Sequence, residues 1–154
     1  MTQLTPDERL IWRQLRNRAR DASTTQPEAA CIHYRDLGLL VDPDGRWHYP
    51  MSRPPFRGFN DALGHVSQYE HGRGRPLLSS LVTTMDDGQP GKGFALFAVS
   101  LGFEVVDPEP FWRRELTRTV AFWSSMDDTL LLDAAVDRVL SAVDGLSDML
   151  RNRG

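Results

Sequence analysis

Glu70 and His71 stand side by side in the chain, and Ser79, Ser80 and Lys92 follow them. An acid, a base, two hydroxyls and an amine are the types from which nucleophilic catalysis is built, provided the base reaches the nucleophile and a third group orients it. No local spacing enforces that arrangement here, and Ser79 lacks the glycine-x-serine-x-glycine elbow that exposes a nucleophile at a strand-to-helix turn. The sequence therefore predicts strand serines in a structural role, and a hydrolase using Glu70 and His71 ranks third among the readings. His65 and His71 are six apart, off the i, i+4 spacing that aligns two imidazoles on one helical face, and His33 and His48 meet only through the fold. Neither a metal nor a cofactor is expected. Cys31 is the single cysteine, which excludes an internal disulfide and any multi-cysteine zinc site.

The glycines of Gly72-Arg73-Gly74-Arg75 invite comparison with a phosphate cradle. A cradle needs them before a helix amino terminus, whereas here they precede Pro76 and an apolar, β-prone run. Pro90-Gly91-Lys92-Gly93 lacks the Walker spacing. Both loops are instead suited to one or two phosphate contacts. The net charge is −3, too small to dictate a polyanionic partner, but it is unevenly spread. Residues 46–75 carry five arginines against Asp61 and Glu70, and residues 127–150 carry six aspartates against Arg138.

These residues must be positioned by elements that the pattern outlines. Thr5-Pro6-Asp7-Glu8 opens a helix to about residue 21, with a threonine cap, an early proline and a glutamate able to reach back. Its apolar stripe is Leu10, Ile11, Leu15 and Ala19, with Trp12 at the edge and Arg9, Arg13, Arg16 and Arg20 on a solvated face. Cys31 to Leu40 reads as a short strand leading into a brief helix, and Asp42-Pro43-Asp44-Gly45 as a turn. The prolines of Arg46 to Phe56 exclude a helix, and its aromatics suggest a packed loop. Phe59, Leu63, Val66 and Tyr69 recur at helical spacing over 58–71, a helix ended by Gly72. Pro76 to Thr84 reads as a strand, followed by Asp86-Asp87-Gly88 turn chemistry. Gly93 to Leu101 is apolar all round, compatible with a second hairpin strand or with a buried helix closed by Gly102, and Ala95, Ala98 and the Leu101-Gly102 stop favour the helix. Helices follow from Asp107-Pro108 to about Ser124 and from Asp127 to about Arg151. The last bears a four-three apolar seam: Leu132, Val136, Val139, Val143, Leu146 and Leu150.

The order helix, helix, strand and turn, with positive charge at the joints, is that of a winged helix-turn-helix, whose second helix enters the major groove. Arg53, Arg57, Arg73, Arg75 and Lys92 are then the phosphate contacts, and Asn60, His65 and Gln68 the groove-facing readers. Ile32-His33-Tyr34-Arg35-Asp36-Leu37-Gly38 resembles the segment that opens the DNA-binding half of the alkylguanine alkyltransferase and alkyltransferase-like family. That resemblance implies a winged-helix shape over roughly residues 32–92. The family's Pro-Cys-His-Arg is replaced by Leu-Ser-Ser-Leu-Val at Leu78 to Val82, so alkyl transfer is not implied.

The expectation is one mainly helical α+β domain over 1–154. It has a winged-helix-like core at 30–92 carrying a small β-hairpin, and a carboxy-terminal helical hairpin at 107–152. The expected role is non-enzymatic: a nucleic-acid-associated or adaptor protein using the basic face at 46–75 and the following hairpin, with duplex DNA or another protein as partner. The alternative is a protein-interaction module that dimerises through the Leu132 to Leu150 seam. The amino terminus lacks a basic n-region and an apolar h-region, and no run approaches the about 18 apolar residues that span a bilayer. A cytoplasmic protein without a membrane partner is expected.

Overall fold

The computed structural model describes residues 3–44, 57–125 and 128–152, with side chains from residue 59 in the second segment and from residue 138 in the third. Among these residues there are six α-helices and one pair of very short strands, a mainly helical α+β arrangement. The chain divides into two compact units, Met1–Ser124 and Ser125–Gly154. The division falls inside the stretch 107–152 that the sequence reads as a helical hairpin. No helix of the described residues is long and apolar enough to cross a membrane.

In the first unit, α1 (Pro6–Asp21) starts as the sequence predicts. Thr5 Oγ1 accepts from the Glu8 amide, and Glu8 Oε1 accepts from the Thr5 amide, closing a capping box. Its buried residues are Glu8, Ile11, Trp12, Leu15 and Ala19. Trp12, expected at the edge of the stripe, therefore lies inside it, and Leu10, expected within it, lies outside. Next come β1 (Ile32–His33) and α2 (Tyr34–Val41), then α3 (Arg57–Gly72). Helix α1 packs against both α3 and α5 (Pro108–Ser124).

The expected strand over Pro76 to Thr84 shrinks to β2 (Val82–Thr83), which pairs in parallel with β1: Ile32 opposite Val82, His33 opposite Thr83. The β-hairpin expected there is thus absent among the described residues, and with it the wing. The physical reason lies in Leu77 to Leu81, a fully buried stretch containing a short 3-10 turn, Leu78–Leu81. It lies against both α3 and α5, and a backbone so placed must find hydrogen bonds locally. Side chains supply them. The Leu77 amide donates to Glu115 Oε1 at 2.9 Å, the Ser79 amide to Ser67 Oγ at 2.9 Å, and Trp112 Nε1 donates to the Ser80 carbonyl at 2.8 Å. Thr119 Oγ1 donates to the Leu77 carbonyl at 3.3 Å. These side chains replace the neighbouring strand that the sequence pattern presupposes.

Residues 93–100 form α4 (Gly93–Ser100), as expected. It ends in a Schellman turn: the Phe103 amide donates to the Ala98 carbonyl, the Gly102 amide to that of Val99, and Gly102 takes a φ of 99°. Trp112, Leu116, Val120 and Trp123 form the buried side of α5. The second unit contains α6 (Asp128–Arg151).

Candidate functional site

Helix α3 sorts its polar residues by angle. Phe59, Ala62, Leu63 and Val66 face the core, and Ser67 and Glu70 continue that buried stripe. Asn60, Asp61, His65 and Gln68 are exposed. His65 does not stand alone, because its Nδ1 lies 2.6 Å from Glu8 Oε2, so the glutamate that caps α1 also holds α3. Glu70 and His71 diverge as consecutive helical residues must: Glu70 enters the core, and the His71 ring centroid lies 5.1 Å from that of Phe103. Ser79 is engaged with Ser67, whose hydroxyl donates to Ser79 Oγ at 2.6 Å, and Ser80 Oγ lies 3.1 Å from Thr119 Oγ1.

Arg75 departs furthest from expectation. Helix α3 ends in a second Schellman turn, with Gly74, not Gly72, in the left-handed conformation at φ 71°. The Gly74 amide donates to the His71 carbonyl and the Arg75 amide to that of Glu70. This turn normally brings an apolar residue back onto the last helical turn; here it brings Arg75 back onto Glu70. Arg75 Nη2 donates to Glu70 Oε1 at 2.9 Å, Trp12 Nε1 donates to the same oxygen at 2.7 Å, and the pair is almost fully buried. The guanidinium carbon lies 5.5 Å from the Trp123 ring centroid, and Trp12 and Trp123 meet edge to face at 5.9 Å. Arg75 is therefore a core residue and is withdrawn from the phosphate-contacting set. Burial pushes the Glu70 carboxyl above its ordinary range, opposed by Arg75, the Trp12 hydrogen bond and Arg73.

Of the remaining expected residues, Gln68 and Arg73 are exposed, and the Arg73 guanidinium carbon lies 4.4 Å from the Tyr69 ring centroid. Arg53 lies outside the described residues, as do the side chain of Arg57 and the aromatic loop 46–56. Cys31 is held as a thiol: burial and Glu28 push it up to about 11, with Arg18 pulling the other way. It borders a hollow of about 450 Å³ with His33 and Asp36, where Arg18 already donates to the Ala30 and Cys31 carbonyls.

Asn60 and Lys92 are brought together. They border a cleft of about 380 Å³ enclosed by α3, the first residue of α2, and the Gly91 to Phe97 segment. Leu63, Phe94 and Phe97 give it an apolar wall, Ser79 a deep polar point, and Gly64, Gly91 and Gly93 the room. The Tyr34 hydroxyl is kept protonated by burial, with a backbone hydrogen bond from Gly91 acting against that shift. The sequence reading missed Tyr34, Phe94 and Phe97 as site residues; the signal available was the sole lysine framed by two glycines. No protein family, curated protein or solved structure matches the chain.

Proposed function

We propose that this protein is a non-enzymatic interaction module that pairs with a second copy through α6. The observation that carries this reading is the exposure of the seam: Val139 is 62%, Val143 50%, Leu146 59% and Leu150 69% accessible. Leu132 and Val136 extend the same four-three register on the part of α6 whose side chains lie outside the description. At 100° per residue, Asp148 falls opposite the seam and Asp144 well off it, so these two aspartates do not oppose pairing. Leu140, also exposed, flanks the stripe. In proteins most helical stability comes from packing an amphipathic helix by its apolar face. The apolar face of α5 is already buried within the first unit. Full burial of a Val or Leu contributes about 1.5–3 kcal/mol. Eight such side chains in a pair reach the order of the about 4–15 kcal/mol that association costs.

Sedimentation of the full chain tests the reading. The expected result is a doubled mass at micromolar concentration that Val139→Asp returns to that of one chain, with the fold of residues 1–124 intact by near-ultraviolet circular dichroism. A single-chain mass at high concentration overturns it.

The second reading, duplex nucleic-acid binding, retains Asn60, Gln68, Arg73 and Lys92. It is favoured by one observation, an exposed guanidinium laid over Tyr69 beside Gln68. It draws on α2 and α3 as the helical pair of a winged helix, without the wing and without Arg75.

A further inference from the structure

We propose that the cleft between α3 and α4 is a binding site for a small organic monoanion with a flat apolar body, an aromatic carboxylate, held at its charged end by Lys92 and Asn60. This inference is independent of pairing through α6.

Size comes first. The cleft's volume of about 380 Å³ sits at the small end of the roughly 300–1,000 Å³ typical of ligand sites. Such a volume suits a one- or two-ring molecule and excludes a folded partner. Its interior is open because three lining positions carry no side chain. At Gly64 a Cβ would sit 3.6 Å from the Phe97 ring, and at Gly93 it would meet nothing within 4 Å. The lining includes two aromatic rings, Phe94 buried and Phe97 half-buried. Aromatic rings favour an offset or edge-on ring as neighbour.

Charge decides the polar end. The whole chain carries 21 acidic residues, yet among the described residues none that lines the cleft is acidic. Lys92 contributes the one formal charge of that lining. An ammonium with an apolar wall beside it and no carboxylate in the same lining is complementary to an anion, and its hydrogen bonds to one are the strong, charge-assisted kind. The exposed Asn60 amide and the Tyr34 hydroxyl add neutral donors. A cationic ligand of the same shape finds like charge at Lys92 and, among the described lining residues, no carboxylate to neutralise it.

Titration of the full-length, isotope-labelled chain with 2-naphthoate, followed by amide chemical shifts, tests the site. The expected result is saturable shifts centred on Asn60, Gly64, Lys92, Gly93 and Phe94. Lys92→Gln, a change at an exposed position, should weaken binding about tenfold, the loss of one charge-assisted contact. Gly64→Leu, which fills the cleft, should abolish binding, and the spectrum itself reports whether that variant is folded. The isosteric cation 2-naphthylmethylammonium should leave these amides unmoved. The proposal is overturned if millimolar 2-naphthoate shifts none of them, if Lys92→Gln binds as well as the parent, or if the cation binds equally.

Discussion

The Glu70 carboxylate is held in the core by two donors, Arg75 Nη2 and Trp12 Nε1, both on Oε1. Among the described groups, Glu70 Oε2, Arg75 Nε and Trp123 Nε1 have no hydrogen-bond partner. A buried ion pair of this kind need not add net stability, but removal of one member leaves the other charge uncompensated. Arg75→Met should therefore destabilise the first unit by about 3–5 kcal/mol, read from the urea midpoint. The pH dependence has a definite sign. Burial raises the folded-state pKa of Glu70, so the unfolded chain releases this proton first. Stability from this group is complete below the ordinary carboxylate range and declines as pH rises through the folded value. Urea midpoints measured from about pH 4 to 8 should show that decline in the parent chain and lose it in Glu70→Gln.

Where a helix stops determines which side chain its last turn captures. Gly74 holds a left-handed backbone with open space around it, so Gly74→Ala should cost about 1–2 kcal/mol from conformation alone. Gly72 has no positive φ and also faces open space; Gly72→Ala should be neutral or stabilising by up to about 1 kcal/mol. The two variants, compared in the same denaturation experiment, locate the stop. Reversal of their order would show that Gly72 ends the helix. The helices were legible in the sequence because caps and apolar periodicity are local: Thr5 to Glu8, Phe59 to Val66, Leu101-Gly102 and Trp112 to Trp123 each announce themselves. Leu77 to Leu81 was not legible as a crossing segment. An apolar run is compatible with a strand until one knows that its hydrogen-bond partners are Ser67, Trp112, Glu115 and Thr119, far away in the chain. The cleft was half legible. Lys92 and Asn60 stood out by type, whereas Tyr34, Phe94 and Phe97 looked like any aromatic core residues until the fold set them around one hollow.

Across the whole chain, positive and negative residues are segregated along the sequence, and this bears on the nucleic-acid reading. Arg75 is internal and His65 is bound to Glu8, which takes one expected phosphate contact out of the surface and ties down one expected groove reader, while Arg73 and Lys92 stay exposed. If duplex DNA binds, log affinity should fall with log salt at about −0.9 per phosphate contacted. Arg73→Ala should flatten that slope by about one contact, whereas Arg75→Lys should not alter it. Fluorescence anisotropy with a labelled duplex measures both; no binding at low salt removes the reading. The setting of Lys92 has a practical corollary. Its ε-amine is unique in these 154 residues and stands exposed between two glycines. Acylating reagents, which decorate most proteins at many lysines, would here find one lysine, and would place a dye, a crosslinker or an affinity tag on it at the rim of this hollow.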